Sequence, residues 1–213
     1  MPDLAAAIDH VRAAGFSPVG VDLSSPDWME AFLHPRQATG IVVQLAQAAY
    51  AWESPPPEGF PTPRRDSATS LVRVTHAVAD LDAALALFEE LLGGRRTARA
   101  AASDGVWEYA DLEWSGPPRL RLVSPVHSRG GLSSHPDTPL GAWLGDLSGR
   151  VHHLVFTLPR PHRAGRLDEH PDFALLTDVP GVLPEEGPGR VVEPRDNLGT
   201  RLVLLGSDAD VEL

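Results

Sequence analysis

Four arginines and one histidine carry the chemistry that this sequence suggests. Strand-like alternation sets all five on the faces opposite to aliphatic neighbours, and they are Arg73, Arg119, Arg121, His153 and Arg201. A guanidinium group stays protonated, and its planar fork of donors fits a carboxylate or a phosphate. Because like charges repel when they are buried together, such a cluster predicts that anionic groups lie among the arginines.

Two sources of negative charge are possible. The first is internal, because four carboxylates lie on or beside predicted strands: Glu108, Asp111, Glu113 and Glu193. The second is a ligand, in which case the arginine forks would clasp a carboxylate or a phosphate. Internal ion pairing is the plainer interpretation, and an anion pocket is the sharper hypothesis.

Histidines give a weaker signal. His152 and His153 are adjacent in a predicted strand, so alternation predicts opposite faces and only one imidazole at a given site. A satisfied structural histidine is the commoner outcome for such a position. The other candidates lie in predicted loops without metal-ligand spacing: His127, His135, His162 and His170.

Composition limits the classes of partner. With Asp and Glu at 29 against Lys and Arg at 18, the formal net charge is −11, so we expect no nucleic-acid partner. The absence of cysteine excludes disulfides, thiolate metal sites and cysteine nucleophiles. No apolar run reaches membrane-spanning length, and the first residues lack a signal-peptide pattern. We therefore expect no membrane partner and a cytoplasmic location.

The 71–94 stretch is the clearest structural pattern. Apolar residues alternate from Val72 to Val78, which predicts a strand whose opposite face carries Arg73. Asp80 stands at the N-cap of a predicted helix whose apolar stripe runs from Leu81 to Leu92. A glycine pair then ends the helix.

This pattern organises the rest of the chain. Residues 1–53 are predicted to form one helix, with Asp3 as its N-cap, and three strands, an incomplete αβββ module. The proline-rich 54–67 is predicted to be a stiff linker. Residues 68–213 contain two βαβββ-type modules, a central module at 68–126 and a C-terminal module at 150–206. Prolines after the opening strand of the C-terminal module rule out a long helix there.

These repeated units resemble the vicinal oxygen chelate superfamily, which has the glyoxalase and bleomycin-resistance fold. AVADLDAALALFEELLGG belongs to the opening strand and helix of the central module, and GRVHHLVFTL opens the C-terminal module. The segment AFLHPRQATGIVVQL, Ala31–Leu45, is similar to the closing hairpin of methylmalonyl-CoA epimerase-like members. The resemblance implies an α+β fold in which βαβββ modules pair into a curved mixed sheet or half-open barrel around a cleft.

The resemblance also implies where a divalent metal would lie. Family ligands come from the first and last strands of each module, and these positions fall on Arg73, Arg121, His153, Val203 and, in the N-terminal module, Gln44. Arginine and valine offer no lone pair, so no metal is expected within 68–213. Gln44 and His153 are candidate ligands of an incomplete set. A divalent metal would require the N-terminal module to be completed by another chain or by upstream sequence.

Three functions remain open. The first is a glyoxalase-like protein with a degenerate metal site that binds a small anionic organic molecule. The second is a metal-dependent isomerase or lyase resembling methylmalonyl-CoA epimerase, and the third is a metal-free, antibiotic-sequestering binder with stacking surfaces from Trp107, Tyr109 and Trp114. The uncovered apolar stripe of the incomplete module predicts a homodimer, or a natural start upstream of Met1.

Overall fold

The structure is a computed structural model. It describes residues 3–49, 69–103, 105–126, 138–158, 174–175, 179–183 and 189–205. The chain forms two compact units, Met1–Thr62 and Pro63–Leu213, here called the N-terminal and C-terminal units. The predicted linker at 54–67 lies outside the described residues, and so do the four loop histidines.

The N-terminal unit packs one helix on a small antiparallel sheet. Its elements are α1 (Leu4–Ala13), β1 (Val19–Asp22), β2 (Trp28–Leu33) and β3 (Val43–Ala48), with strand order β1-β2-β3. The Asp3 carboxylate accepts a hydrogen bond from the amide of Ala6, as the sequence predicts for an N-cap. The buried face of α1 and the sheet supply the core: Leu4, Ile8, Val11, Ala31, Leu33 and Leu45.

The C-terminal unit is built on one mixed sheet of eight strands. The central module contributes β4 (Ser70–Val78), α2 (Leu81–Leu85), β5 (Arg95–Ala101), β6 (Trp107–Glu113) and β7 (Arg119–Pro125). After α3 (Pro139–Leu144), the C-terminal module contributes β8 (Gly149–Thr157), β9 (Ala174–Leu175), β10 (Gly189–Val192) and β11 (Leu202–Leu205).

The strand order shows that the two modules are arranged alike. The order is β5-β6-β7-β4-β8-β11-β10-β9, so β4 and β8 meet in the centre and run antiparallel. Each central strand pairs in parallel with the last strand of its own module, β4 with β7 and β8 with β11. The predicted pairing of two βαβββ-type modules in one mixed sheet is confirmed. The stretch expected to carry a shortened helix in the second module, 159–173, lies outside the described residues.

The helix of the central module departs from its predicted stripe. Asp80 caps α2 as expected, but the helix continues from Ala86 to Leu91 as a π-helix, in which the amide of Leu92 bonds the carbonyl of Leu87. The wider turn rotates the following residues about the axis. Leu87 is therefore buried, although regular α-helical spacing places it outside the apolar stripe.

The sequence pattern did not reveal strand β5. Its residues, RRTARAA, are almost all exposed and show no apolar alternation. The strand forms an edge of the sheet and is tied to β6 by ion pairs, including Arg95 with Glu113 and Arg99 with Glu108. Cross-strand charge pairs thus replace the apolar pattern that identifies half-buried strands.

The sheet has two covered faces. On the first, the helix face, the His76 ring meets the edge of the Phe88 ring with centroids 6.3 Å apart. On the second, here called the cleft face, Ala77 and Val123 pack under Leu140 and Leu144 of α3. No helix among the described residues is long and apolar enough to cross a membrane.

Two β-bulges between β4 and β8 alter the predicted alternation. They lie between Leu71 and Arg73 and at the step from Thr75 to His76. Alternation places Val72 on the helix face, and this is wrong, because Val72 packs with Val155 and Val203 on the cleft face. A bulge adds a residue to one strand and so resets which side its neighbours occupy.

Candidate functional site

The cleft face carries a segment of the chain's own backbone, Val179–Leu183. Gly181 lies directly over the sheet, and a Cβ added to it would stand 2.6 Å from Thr75 Cγ2 and 3.1 Å from Val123 Cγ1. Its φ of +87° is also a conformation that other residues rarely adopt. Glycine is therefore required for this close approach.

Two of the predicted arginines converge on this segment. The carbonyl oxygen of Gly181 accepts a hydrogen bond from Arg73 at 3.3 Å and another from Arg121 at 3.0 Å. The residues come from β4 and β7, where Thr75 is paired with Arg121 and Arg73 with Arg119. The arginine forks thus meet around one main-chain oxygen.

Arg121 also has an internal counterion. Its Nε and Nη2 atoms donate to the two carboxylate oxygens of Asp111 at 2.6 and 2.7 Å. The side chains are 5% and 16% exposed, so this is a largely buried bidentate pair. The guanidinium also lies 4.9 Å from the centroid of the Tyr109 ring.

The other two arginines also have carboxylate partners. Arg119 is 42% exposed and pairs with Glu113 at 3.4 Å. Arg201 donates to Glu193 at 3.0 and 3.2 Å and lies over the Trp143 ring of α3. Internal pairing with carboxylates therefore holds for Arg119, Arg121 and Arg201.

The two adjacent histidines form one cluster. Their Nδ1 atoms are 2.8 Å apart, and both side chains are buried. The prediction that they occupy separate sites is wrong. Thr75 of β4 pairs with His153, but the next residue, His76, pairs with Val151, so β8 has one more residue than β4 at this step. The bulge makes His152 the extra residue and turns its ring toward that of His153.

The hydrogen bonds fix the tautomers of this pair. Arg201 can only donate, so at 2.9 Å it makes His152 Nε2 an acceptor and leaves the proton of that neutral ring on Nδ1. His152 Nδ1–H then donates to His153 Nδ1. The proton of His153 is consequently on Nε2.

Both rings are held neutral. Burial lowers the pKa of His152 to about 3, with the charges of Arg201 and Arg150 acting in the same direction. Burial also holds the pKa of His153 well below its usual value, and His152, Arg73, Arg201 and Arg121 lower it further.

Buried polar atoms without a hydrogen-bond partner among the described residues lie on the cleft face beneath Gly181. They include His153 Nε2 and Thr75 Oγ1. Thr75 and His153 are directly paired across β4 and β8, and an added Gly181 Cβ would contact Thr75 Cγ2 and lie 3.4 Å from His153 Cε1. The residues under Gly181 therefore offer more hydrogen-bond donors than the Gly181 carbonyl accepts from. This group of residues is here called the donor patch.

The residues present do not fit the metal that the family resemblance implies. Three of the four positions within the C-terminal unit are Arg73, Arg121 and Val203, none of which has a lone pair to give. Among the described residues, no group of three histidine or carboxylate side chains is arranged to hold a metal ion. Gln44, in the N-terminal unit, is exposed and donates to Glu30 at 2.7 Å.

The aromatic residues do not form one stacking platform. Trp107 is buried in the core under α3, with Tyr109 beside it at 5.8 Å between centroids. Trp114 donates instead to the carbonyl of Leu92 at the end of the π-helix. Of these three residues, Tyr109 lies next to the arginine cluster, beneath Arg121.

Comparisons with known proteins find a similar fold among solved structures. No protein-family model matches the chain, and no curated protein sequence matches it. A hypothetical protein from Bacillus halodurans C-125 has a similar structure, with 14% identity over 68% of this chain and 99% of that chain and a TM-score of 0.52. At this identity the likeness shows a shared fold alone.

Methylmalonyl-CoA epimerases also appear among the similar structures. The enzyme from Mycobacterium tuberculosis has 18% identity over 64% of this chain and 86% of that chain, with a TM-score of 0.48. The enzyme from Streptomyces coelicolor in complex with 2-nitronate-propionyl-CoA has 22% identity over 65% and 97%, also with a TM-score of 0.48.

Proposed function

We propose that the cleft of the C-terminal unit binds the carboxylate of a small organic molecule without a metal. The observation that carries the proposal is the excess of buried donors around the Gly181 carbonyl. Arg73, Arg121, His153 Nε2–H and the Thr75 hydroxyl all lie at this point, and the carbonyl accepts from the two arginines. A carboxylate has two oxygens and about four acceptor sites, which matches this set of donors.

Energetics favour a charged acceptor over a neutral one. A buried donor without an acceptor costs about 1–3 kcal/mol, so binding of a second acceptor oxygen to these donors is favourable in free energy. Hydrogen bonds to charged groups contribute about 1.5–3 kcal/mol each, more than neutral ones. Because His153 is held neutral as an Nε2–H donor, it contributes a hydrogen bond without adding charge that would need a further counterion.

The metal-dependent isomerase or lyase is less well supported, because the family's ligand positions are occupied by arginine and valine. The antibiotic-sequestering alternative needs an aromatic platform, and the described aromatic residues are distributed over both faces of the sheet. A homodimer remains a prediction from the sequence. The apolar stripe on which that prediction is based is not uncovered, because Leu4, Ile8 and Val11 are buried.

The test is a ligand-binding assay on Arg73→Gln. Calorimetric titration with a panel of small carboxylates, inorganic phosphate and the matching neutral amides should detect carboxylate binding to the wild type. We expect Arg73→Gln to weaken that binding about 10- to 100-fold, which corresponds to the loss of one charge-assisted hydrogen bond.

A matched control is Arg95→Gln. Arg95 lies on the edge strand β5, is 72% exposed and pairs with Glu113 away from Gly181. Its loss should leave carboxylate affinity unchanged, although it removes the same formal charge. Equal weakening in both variants would show a general charge effect and would contradict a site at the cleft.

A further inference from the structure

We infer that Val179–Leu183 is a built-in competitor that occupies the ligand site, and that the ligand it imitates is an aliphatic carboxylic acid. The inference rests on the proposed function and adds the chemistry of the ligand beyond its acid group. Gly181 supplies the oxygen that the arginines bind. The residues on either side of it show what surrounds that oxygen.

Both flanks of the Gly181 carbonyl are apolar. Val179 and Val182 pack on a buried cluster in the C-terminal module: Val155, Val191, Val203 and Leu205. Leu183 packs on a second cluster under α3: Ala77, Trp107, Val123, Leu140 and Leu144. A ligand that displaces the segment and preserves this packing carries short aliphatic groups beside its carboxylate.

The segment is an imperfect occupant of this site. It presents one neutral oxygen, and His153 Nε2 and Thr75 Oγ1 beneath it have no hydrogen-bond partner among the described residues. A carboxylate brings a second oxygen and a negative charge to the same donors. The segment therefore weakens ligand binding without abolishing it, since a ligand binds only the protein molecules in which the segment has left the site.

Gly181 gives a direct way to remove the competitor. The Cβ of an alanine at this position would stand 2.6 Å from Thr75 Cγ2, at a φ of +87° that alanine rarely adopts. Gly181→Ala should therefore move the carbonyl out of the cleft and leave the arginines, His153 and Thr75 intact. We expect isovalerate, used as the probe, to bind Gly181→Ala at least tenfold more tightly than the wild type.

The controls use the same calorimetric titration. Isovaleramide, which has the same shape without charge, should bind neither protein, and acetate should bind both more weakly than isovalerate because it lacks the aliphatic groups. Gly181→Ala combined with Arg73→Gln should lose the gain. Far-ultraviolet circular dichroism establishes that each variant is folded.

A second variant keeps the test decisive if Gly181→Ala does not fold. Val182→Ala removes part of the segment's apolar contact without a clash, and it should tighten isovalerate binding by a few-fold. Its control is Val78→Ala, which makes the same change in side-chain size at another position. Val78 is buried at the end of β4, next to the helix that follows. Val78→Ala should leave isovalerate affinity unchanged.

The outcomes separate the two proposals. If the wild type binds isovalerate in an Arg73-dependent way but neither segment variant binds it more tightly, the competitor is disproved and the proposed function stands. If neither the wild type nor a folded segment variant binds any carboxylate, the proposed function fails and the competitor fails with it. Tighter binding that survives Arg73→Gln would place the ligand elsewhere and overturn both.

Discussion

The two modules of the C-terminal unit use the same strand pairing and line the cleft with opposite chemistry. In the central module Thr75 pairs with Arg121, and in the C-terminal module Val155 pairs with Val203. Arg73 lies two residues before Thr75 in β4, and His153 lies two residues before Val155 in β8. Arg73 and His153 therefore occupy corresponding positions in the two modules. The central module supplies charged donors and the Asp111 carboxylate, whereas the C-terminal module supplies a valine wall, two neutral imidazoles and the Arg201–Glu193 pair.

This contrast shows that one pattern of strand pairing can carry two kinds of side chain. In the central module the paired first-strand and last-strand positions are both arginine, and Asp111 stabilises Arg121 there. In the C-terminal module the last-strand position is Val203, which is completely buried. The backbone geometry is kept in both, so the chemistry of the cleft depends on side chains that the pairing pattern does not dictate.

The largest effect is expected from Arg121→Ala. It leaves the Asp111 carboxylate in a mostly buried position without its bidentate partner, and we expect a loss of about 3–5 kcal/mol in the free energy of unfolding. The equivalent Val203→Ala removes only packing, at about 1.5–3 kcal/mol. Urea denaturation of both variants measures the difference.

The double variant Arg121→Ala with Asp111→Ala is the control for that comparison. Removing both charges should recover part of the loss, because no unpaired carboxylate remains. If Arg121→Ala is no more destabilising than Val203→Ala, the charged and apolar halves of the cleft do not differ in the way described here.

An intermediate effect is expected from acidification. The folded pKa of His152 is about 3, whereas the pKa of an unfolded histidine is about 6.5, so the unfolded chain binds the proton first. The stabilisation is fully present above pH 6.5 and is lost as the pH falls from about 6.5 toward 3, by about 1.4 kcal/mol per pH unit from His152. His153 adds to the loss in the same direction.

Urea denaturation at pH 7, 6 and 5 measures this dependence, with His152→Gln as the matched variant. The slope below pH 6 should be smaller in His152→Gln, since one of the two neutral imidazoles is gone. An unchanged slope would mean that His152 is protonated equally in the folded and unfolded states.

The smallest effect is expected from Arg119→Ala. Its guanidinium is well exposed and pairs with Glu113 at the rim of the same module. Exposed ion pairs contribute about 0.2–1 kcal/mol, so thermal unfolding should change little. A loss as large as that of Arg121→Ala would show that the arginines act as one network, which the separate contacts of Arg119 and Arg121 do not predict.

Local patterns in the sequence accounted for most of the described fold. The caps at Asp3 and Asp80 and the alternation of β7 predicted their elements, and the order of elements predicted the paired modules. Strand β5 was missed because backbone pairing and exposed ion pairs, without apolar alternation, join it to β6. The π-helix was missed because its hydrogen bonds leave no mark in a 3.6-residue periodicity.

The candidate site was less predictable, because it depends on contacts between distant parts of the chain. Alternation correctly placed Arg73 and Arg121 on one face of the sheet. His153 was named as a candidate site residue because histidine is a common functional residue type. The bulge that joins His152 to His153 has no sequence signal of its own. The Pro180-Gly181 pair indicates a turn, but nothing local in it shows that its carbonyl meets two arginines from another module.

The pairing of β4 with β8 in the centre of the sheet, here called the seam, also has a consequence for folding. Strands β5, β6 and β7 follow one another in the chain and pair through local connections, whereas the β4–β8 pair joins Ser70 to Thr157 and Val78 to Gly149. Closing so long a loop costs chain entropy before the contacts compensate for it. We therefore expect the meander to form early, and the seam, with both bulges and the paired imidazoles, to form late. The cleft face around Gly181 should then be among the last parts of this unit to assemble.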